Sequence, residues 1–459
     1  MHMKRSILLS AMTILAGISH AQTDADSVVL RKLANEMLTH GGAYENLRVL
    51  TKQVGPRLSG SAGAEKAVMA TARMLKDAGA DTVILQECMV PHWVRGDKEV
   101  AKLYGTDGKE RVLRIAALGN AIGTGPKGVK AEVVEVKDFK ELDALGATGA
   151  LKGKIVFYNH PMDPTFIRTF MAYGEAGPYR HVGASRAAKY GAVGTIVRSL
   201  ASNPDDHPHT GAQNYIDSLP KIPAVAISTN DADFLSAALR EKKAKQVYFR
   251  TTCQMLPDAK SYNVIGVLRG SQLPNEVLTV GGHLDSWDLA EGAHDDGTGC
   301  TQSIEVIRAF KALGIRPKRT IHAVMFMNEE NGGRGGDKYA EQAKLDGKKY
   351  LFAIESDAGG FVPRALGLSV KGDQKAKLWP YERLFKPYDI VFNEGGGGAD
   401  IGPLAKAGTI MASMNPDSQR YFEVHHAETD VFEAVSRREL HLGAFAMAGI
   451  LYIVSEYGL

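Results

Sequence analysis

The sequence predicts an α/β protein in which a mostly parallel sheet is flanked by helices and carries an inserted α+β unit. Three observations lead to this prediction. Strand-like and helix-like segments alternate from Tyr262 onward, residues 118–252 have short strands and many Gly and Pro turns, and polar residues follow several predicted strands. Such alternation is typical of a parallel sheet covered on both faces. Since 459 residues exceed what one hydrophobic core usually serves, we expect two domains.

Residues 1–21 have the composition of a secretory signal peptide. Lys4 and Arg5 precede an apolar run over 6–18, and the small residues Ser19 and Ala21 follow it. The alternative is an anchor helix that is not removed, but the run is shorter than the roughly 20 residues that cross a bilayer. We therefore expect a periplasmic or secreted protein. No later segment looks apolar enough to span a membrane, so we expect no membrane association after signal removal.

The charge and composition are those of an ordinary globular protein. The apolar fraction is 44%, the charged fraction is 23% and the formal net charge is +3. This charge is too small to favour nucleic acid as a partner. A homodimer is compatible with the sequence. For Cys88, Cys253 and Cys300, buried free thiols are favoured over a bridge between the first two, because a domain of this size needs no disulfides.

The elements of the host domain are expected in residues 22–117 and 253–459. Its first part is predicted to be helical over 24–55. A loop follows, in which Ser59 or Ser61 is expected to cap a second helix that runs through 74–77. A strand over 82–86 is predicted to end this part. The second part is predicted to contain strands at 275–280, 320–327, 350–354, 390–392 and 409–411, and helices at 298–313, 336–346 and 437–457.

The inserted unit is expected to span residues 118–252. Its predicted strands lie at 133–136, 154–157, 194–197 and 224–227, with a helix around 185–190.

Carboxylate and imidazole side chains follow the predicted strands of the host domain. They are His283 and Asp285 after one strand, Asp295 before the next helix, Glu329 and Glu330 after a second strand, Asp357 after a third, and His426 and Asp430 near the C-terminus. Ligands of open α/β sheets bind beyond the carboxyl ends of the strands, so these side chains are expected to converge. Imidazole nitrogen and carboxylate oxygen are the ligands of catalytic zinc.

Charge favours two metal ions at this edge. Asp295, Glu330 and Asp357 would contribute three negative charges and Glu329 a fourth, which two Zn²⁺ ions would balance. Without cations, four clustered carboxylates would repel one another and several would take up protons. A pair of zinc ions bridged by one carboxylate resolves this repulsion.

Each motif alone also has an ordinary structural explanation. Asp295 could cap a helix, Glu329 and Glu330 could start one, and the pair His425-His426 could lie on the surface. Their occurrence together, each at the boundary of an element, favours the metal centre.

The motifs resemble those of the co-catalytic di-zinc exopeptidases, a family of aminopeptidase and glutamate carboxypeptidase type. The matching stretches are Gly282–Ser286, Asp295–Gly299, Glu329-Glu330, Ser356-Asp357 and His426 with Asp430. Trp287-Asp288 and the doubled histidine resemble the plasma glutamate carboxypeptidase (carboxypeptidase Q) branch most. The resemblance covers nearly the whole mature chain, and the inserted unit resembles a protease-associated domain that would form a lid.

The resemblance implies roles for individual residues. His283 and Asp357 would bind one zinc ion, Glu330 and His426 the other, and Asp295 would bridge both. The family usually has Thr after the acid at position 430, whereas this chain has Val431. We expect Asp285 to accept the second ring N–H of His283, and Asp430 to accept that of His426.

The predicted activity is hydrolysis of dipeptides or short peptides by a metal-bridging hydroxide, with Glu329 as the general base. No substrate-binding residue is predicted. The alternative within enzymes is an aminopeptidase that acts on longer peptides. A non-catalytic receptor on the same fold would be expected to lose ligands, and all are present here. A single-zinc transferase of the glutaminyl cyclase type would differ in metal content.

Overall fold

The computed structural model describes residues 25–459, so the predicted signal peptide lies outside the described residues. The strands are β1 (Thr82–Val94), β2 (Val100–Gly105), β3 (Glu110–Leu113), β4 (Ile115–Ala117), β5 (Val129–Val136), β6 (Ile155–Tyr158), β7 (Gly194–Arg198), β8 (Ala224–Ile227), β9 (Ala244–Arg250), β10 (Gln254–Leu268), β11 (Leu273–His283), β12 (Arg319–Phe326), β13 (Lys349–Glu355), β14 (Pro363–Leu368), β15 (Val391–Glu394) and β16 (Ile410–Pro416).

The helices lie between these strands and at both ends of the described chain. They are α1 (25–40), α2 (Ala43–Arg48), α3 (Ala62–Asp77), α4 (Phe139–Ala147), α5 (Thr169–His181), α6 (Gly183–Ala188), α7 (Thr229–Arg240), α8 (Thr298–Ala312), α9 (Arg334–Leu345), α10 (Gly372–Leu378), α11 (Tyr421–Val424) and α12 (Arg437–Tyr457). Short 3-10 turns cover Trp379–Leu384, Lys386–Tyr388, Gly402–Ala407 and Phe432–Ala434, and π turns cover Val49–Val54 and Ala293–Gly297.

The first sheet has eight strands in the order β1-β10-β12-β11-β13-β16-β14-β15. Its centre, from β12 to β16, is parallel. Antiparallel pairs join β1 to β10, β10 to β12 and β14 to β16, while the edge strand β15 is parallel to β14. One face is covered by α1, α3, α8 and α12, and the other by α9 and the turn at Gly402–Ala407. The predicted α/β class is confirmed, and the sheet is mixed.

The second sheet also has eight strands, in the order β3-β2-β9-β5-β6-β7-β8-β4. Strands β2, β3 and β4 precede residue 118, where the sequence placed the start of the inserted unit. They belong to the second sheet because β2 pairs with β9 and β4 pairs with β8. The second sheet therefore draws its strands from residues 100–250.

Local sequence signals explain where several elements begin. The Ser61 side chain accepts the backbone N–H of Ala64 at 3.1 Å and starts α3, as one of the two predicted caps. Ser436 does the same at the start of α12 by accepting from Glu439. All three cysteines are buried free thiols, as the sequence favoured.

Helix α12 corrects one expectation about membranes. By length and composition it could cross a bilayer, with a mean hydropathy of 1.3, although no such segment was predicted after residues 1–21. In the structure 78% of that stretch is buried inside the protein. A helix surrounded by core on most sides is apolar nearly all round, which explains its composition.

Candidate metal centre

The register of the central strands brings the predicted residues to one edge of the first sheet. His283, the last residue of β11, pairs with Phe326 at the end of β12, and Gly281 pairs with Glu355 at the end of β13. These parallel strands end together, so the residues that follow them lie side by side. Glu329 and Asp357 therefore reach the same edge as His283.

Asp295 lies between two imidazoles. Its Oδ1 is 3.1 Å from Nε2 of His283, and its Oδ2 is 3.3 Å from Nε2 of His426. The neighbouring Asp296 points elsewhere, because its oxygens accept the backbone N–H groups of His283 at 3.1 Å and Gly299 at 2.9 Å. The structure therefore puts the Asp295 carboxylate, rather than that of Asp296, in the position of a bridge.

One further carboxylate flanks each histidine. Asp357 Oδ1 lies 3.5 Å from Nε2 of His283, and Glu330 Oε2 lies 3.1 Å from Nε2 of His426. The result is two groups, each with one imidazole and one carboxylate, that share Asp295. Candidate ligand atoms of His283, Asp295 and Glu330 all lie within 4.8 Å of one another.

His425 and His426 stack on each other with ring centroids 3.6 Å apart. His425 Nε2 is 3.7 Å from Asp295 Oδ2, whereas His426 Nε2 lies 3.3 Å from that oxygen and 3.1 Å from Glu330 Oε2. His426 has the backbone conformation φ +63°, which turns its ring toward the centre. The geometry thus favours His426 as the ligand.

The hydrogen bonds of both imidazoles leave Nε2 free to bind a metal. His283 Nδ1 donates to the carbonyl oxygen of Asp285 at 2.8 Å, and His426 Nδ1 donates to that of Thr210 at 3.2 Å. A carbonyl can only accept, so each ring carries a proton on Nδ1, and a cation that displaces the Nε2 proton would find a lone pair on that atom. The donor set therefore suits divalent cations that prefer nitrogen and carboxylate oxygen.

Burial and crowding shift the ionisation of these groups. Burial raises the pKa of Glu330 to about 7 and raises those of Glu329 and Asp357 above their usual range. Burial would also raise the pKa of Asp295, but the hydrogen bond from His283 and the charge of His426 lower it well below its usual value. The cluster thus holds its carboxylates against a strong tendency to take up protons, which bound cations would remove.

Asp285 does not bind His283 as the sequence led us to expect. Its carboxylate lies 4.0 Å from His283 Nδ1, which donates to the Asp285 main-chain carbonyl instead. The carboxylate accepts the backbone N–H groups of Asn328 at 2.7 Å, Glu329 at 3.0 Å and Glu330 at 3.3 Å. The reason is the parallel pairing of β11 with β12, which places the turn after β12 directly beside Asp285.

Asp430 also has a different partner from the one expected. Its oxygens accept the backbone N–H groups of His294 at 2.7 Å and Asp295 at 3.1 Å, while His426 donates to Thr210 in the second sheet's unit. Asp430 therefore holds the backbone that carries Asp295. Neither contact uses the side chain of Val431, so the loss of Thr there removes no bond of this arrangement.

A cavity of about 350 Å³ opens onto the centre, and both units line it. Six of its residues come from the segment between β6 and β8, and none of them was predicted individually: Phe170, Tyr173, Arg180, His181, Ala212 and Asn214. Opposite them lie Glu329, Glu330 and Asp357. No motif could have identified the first set, because its place depends on how the two units pack.

Comparisons with known proteins agree with this geometry. A family model described as peptidase family M28 matches residues 263–450. Carboxypeptidase Q of Mus musculus is 36% identical over 418 residues, 90% of this chain and 86% of the relative. Carboxypeptidase Q of Homo sapiens is 36% identical over 419 residues, 90% of this chain and 85% of the relative.

Two solved structures share the fold. A peptidase M28 precursor from Shewanella amazonensis has a TM-score of 0.89 at 30% identity, covering 94% of this chain and 97% of that one. A zinc aminopeptidase from Bacillus subtilis has a TM-score of 0.64 at 20% identity, covering 92% and 95%, which shows the shared fold. The resemblance drawn from the motifs is confirmed: the chain belongs to peptidase family M28, with carboxypeptidase Q among its relatives, and is a peptidase.

Proposed function

We propose that this peptidase holds two zinc ions and removes terminal residues from dipeptides or short peptides. One zinc ion would be held by His283 and Asp357, the other by Glu330 and His426, and Asp295 would bind both. The observation that carries the proposal is Asp295, whose two oxygens lie 3.1 Å and 3.3 Å from the Nε2 atoms of His283 and His426.

The donor set fits two divalent cations in charge as well as in geometry. Asp295, Glu330 and Asp357 contribute three negative charges, and Glu329 beside them contributes a fourth. Burial raises the pKa of three of these groups, Glu329, Glu330 and Asp357, which shows that the charged state lacks compensation from the chain alone. The Bacillus subtilis protein that shares the fold is a zinc aminopeptidase, which supports the choice of zinc.

When bound, the zinc ions would polarise the scissile carbonyl and make a coordinated water acidic near neutral pH. The remaining chemistry belongs to the chain. Glu329 lines the cavity and belongs to neither ligand group, so its carboxylate is the base that accepts a proton from water and returns it to the leaving amine. Asp285 holds the Glu329 backbone N–H at 3.0 Å and so fixes the direction of that side chain.

The size of the cavity supports a small substrate. A volume of about 350 Å³ is at the lower end of the range for sites that bind small molecules. The unit built on the second sheet closes one side of it, as a lid would, which favours short peptides. An aminopeptidase acting on longer peptides is the second candidate, and it is favoured by Aminopeptidase YwaD of Bacillus subtilis, 22% identical over 462 residues.

We also propose that residues 1–21 direct export and are removed. The charged start, the apolar run and the small residues that follow support this proposal. The mature enzyme would then begin near Gln22. N-terminal sequencing of the exported protein would test it, and an intact residue 1 in that fraction would contradict it.

The proposed reaction is tested by metal analysis combined with hydrolysis of a dipeptide panel. We expect about two zinc ions per chain, loss of activity on chelation and recovery on adding zinc. Glu329→Gln should keep the zinc and lower kcat by about 10²- to 10⁴-fold, the usual contribution of a general base. Glu110→Gln, an exposed carboxylate on β3 paired with Lys102, serves as the control. One zinc ion per chain, or near-normal turnover by Glu329→Gln, would contradict the proposal.

A further inference from the structure

Arg180, near the end of α5, is a buried cation without an anionic partner. Only 3% of its surface is exposed. Its Nη2 donates to the phenol oxygen of Tyr173 at 2.5 Å, and its Nη1 lies 3.5 Å from the carbonyl oxygen of Thr210. Its Nε has no hydrogen-bond partner. Within residues 25–459 no carboxylate forms an ion pair with it, so its charge is left uncompensated.

Two other arginines with little exposure have an acceptor for each of their three side-chain nitrogens. Arg57 donates to three backbone carbonyls, those of Leu284, Glu291 and Gly292. Arg95 forms a two-pronged ion pair with Asp288, at 2.9 and 2.6 Å. A buried charge is costly unless it is paired and hydrogen-bonded. Arg180 differs from both because its Nε has no acceptor and its Nη1 has only a 3.5 Å contact, so a ligand with acceptor oxygens would complete its hydrogen bonds.

Arg180 faces the metal centre across a single carbonyl group. It lines the cavity that also contains Glu329 and Asp357. The carbonyl of Thr210 accepts from His426 Nδ1 at 3.2 Å on one side and lies 3.5 Å from Arg180 on the other. A Cβ on Gly211 would lie 2.6 Å from Arg180 Cζ and 2.7 Å from His426 Nδ1. Only glycine fits there, so guanidinium and imidazole are close neighbours.

Aromatic packing holds the guanidinium in this position. The Arg180 Cζ atom lies 5.2 Å from the centroid of the Tyr173 ring, and that ring stacks on Phe422 at 4.8 Å. Tyr173 also contacts His425 edge to face at 5.0 Å. Helix α5 is thereby fixed against the segment that carries His426, and the Arg180 side chain has little freedom to leave the cavity.

We propose that Arg180 binds the free carboxylate at the C-terminus of the substrate, on the leaving side of the bond that is cut. One residue spans about 3.3–3.6 Å, so the carboxylate of a last residue lies within one residue length of the reacting carbonyl. Arginine is the side chain best suited to a carboxylate, because its planar N–H groups match the two oxygens. The substrate class is then a peptide cut at its last bond, with the dipeptide as the smallest member.

This inference rests on the proposed function, and the test separates the two. The probes are L-alanyl-L-alanine and its C-terminal amide, which keeps the shape and removes the negative charge. We expect the zinc-loaded wild-type enzyme to prefer the free acid in kcat/KM by about 10- to 100-fold, the usual range for a hydrogen bond to a charged group. Arg180→Gln should lose most of that preference, because its kcat/KM for the free acid should fall while its kcat/KM for the amide stays the same.

Binding provides a second readout that does not depend on turnover. Zinc-loaded Glu329→Gln should bind the dipeptide acid more tightly than the amide by calorimetry, and adding Arg180→Gln should remove the difference. Tyr173→Phe keeps the ring, removes only the hydroxyl group and should weaken the preference for the acid in part. This variant tests the same contact if Arg180→Gln does not fold. Arg186→Gln on α6, which breaks an ion pair with Asp143 on α4, is the matched control and should keep the full preference.

The outcomes distinguish the two proposals. If wild-type enzyme hydrolyses both probes equally well, the role of Arg180 is wrong while the peptidase reaction stands. The same conclusion follows if folded Arg180→Gln retains the wild-type preference for the acid. If neither probe is hydrolysed by zinc-loaded wild-type enzyme but aminoacyl arylamides are, the dipeptide assignment in the proposed function fails as well.

Discussion

Asp285 shows how one carboxylate can organise a metal centre from outside it. Its two oxygens accept three consecutive backbone N–H groups, those of Asn328, Glu329 and Glu330, and its main-chain carbonyl holds His283. The general base and two proposed ligands thus depend on a single residue. Burial raises the pKa of Asp285, and the three N–H groups oppose that rise.

Asp285→Asn should therefore weaken both stability and turnover. An asparagine amide has one acceptor oxygen, so at least one of the three N–H groups faces a donor. We expect a loss of about 1–3 kcal/mol in the free energy of unfolding, the usual cost of an unsatisfied buried group. Urea unfolding of the zinc-loaded protein would measure it, with the exposed Asp217→Asn as control. A variant as stable as wild type would contradict this account of Asp285.

At the scale of elements, β11 approaches the start of α8 closely at the residue before His283. A Cβ on Gly282 would lie 3.0 Å from the backbone nitrogen of Cys300 and closer still to the Asp296 carboxylate. Because Gly282 directly precedes His283, any displacement of the strand from the helix would also move a proposed ligand.

Gly282→Ala should reduce the free energy of unfolding by about 1–3 kcal/mol, as overpacking of a filled interior does. Activity should fall with it, since His283 would shift. The matched control is Gly174→Ala on α5, where a Cβ would meet no atom within 4 Å. There the change should stabilise by about 0.5–1 kcal/mol, because glycine is unfavourable inside a helix. Thermal unfolding of both variants would check the pair, and equal effects would contradict the explanation.

Elements were predictable from the sequence where one local signal dominated. Helix α12 matches its predicted range because an apolar stretch follows a serine cap, and β8 matches because its four residues are buried and lie between turns. Helix α5 was missed, since Gly174, Gly177 and Pro178 all argue against a helix interior. Strand β10 was missed because its first half is largely exposed and lacks regular alternation.

The same distinction applies to the site. Three of the proposed ligands, His283, Glu330 and Asp357, end or follow parallel strands, so their convergence at one sheet edge could be predicted. Asp295 and His426 lie outside the strands, and their roles were implied by the resemblance of their motifs. Hydrogen-bond partners such as Thr210 and the unpaired charge of Arg180 depend on how the two units meet, which no local pattern specifies.

At the scale of the whole molecule, the buried carboxylates should make the metal-free protein sensitive to pH. Burial raises the pKa of Glu330, Glu355 and Asp430 to about 7 each. In the unfolded chain these groups are ionised well below that, so the folded state holds protons that the unfolded state has lost. Stability must then fall as the pH rises through about 7. Burial lowers the pKa of His294 and of His441 to about 4, which makes stability rise with pH. That opposite effect is confined to pH values below about 6.5, where the unfolded histidines are protonated.

We therefore expect the unfolding temperature of chelated protein to fall between pH 6.5 and pH 8. Zinc-loaded protein should show a smaller fall, because a cation replaces the proton of Glu330 and zinc binds more tightly as its ligands lose protons. Thermal unfolding of both forms at the two pH values measures the difference. A chelated protein whose unfolding temperature stays constant or rises over this interval would contradict the prediction.

The bond between Thr210 and His426 has a consequence for how this molecule is built. The backbone N–H of Thr210 donates to the carbonyl of His426 at 3.0 Å, and the carbonyl of Thr210 receives the ring N–H of the same residue. The orientation of one proposed ligand is thus set by the unit that also forms the wall of the cavity. That unit therefore cannot be deleted, or replaced by the corresponding unit of a relative, without disturbing the centre. The host domain alone would lack the Thr210 carbonyl that orients His426.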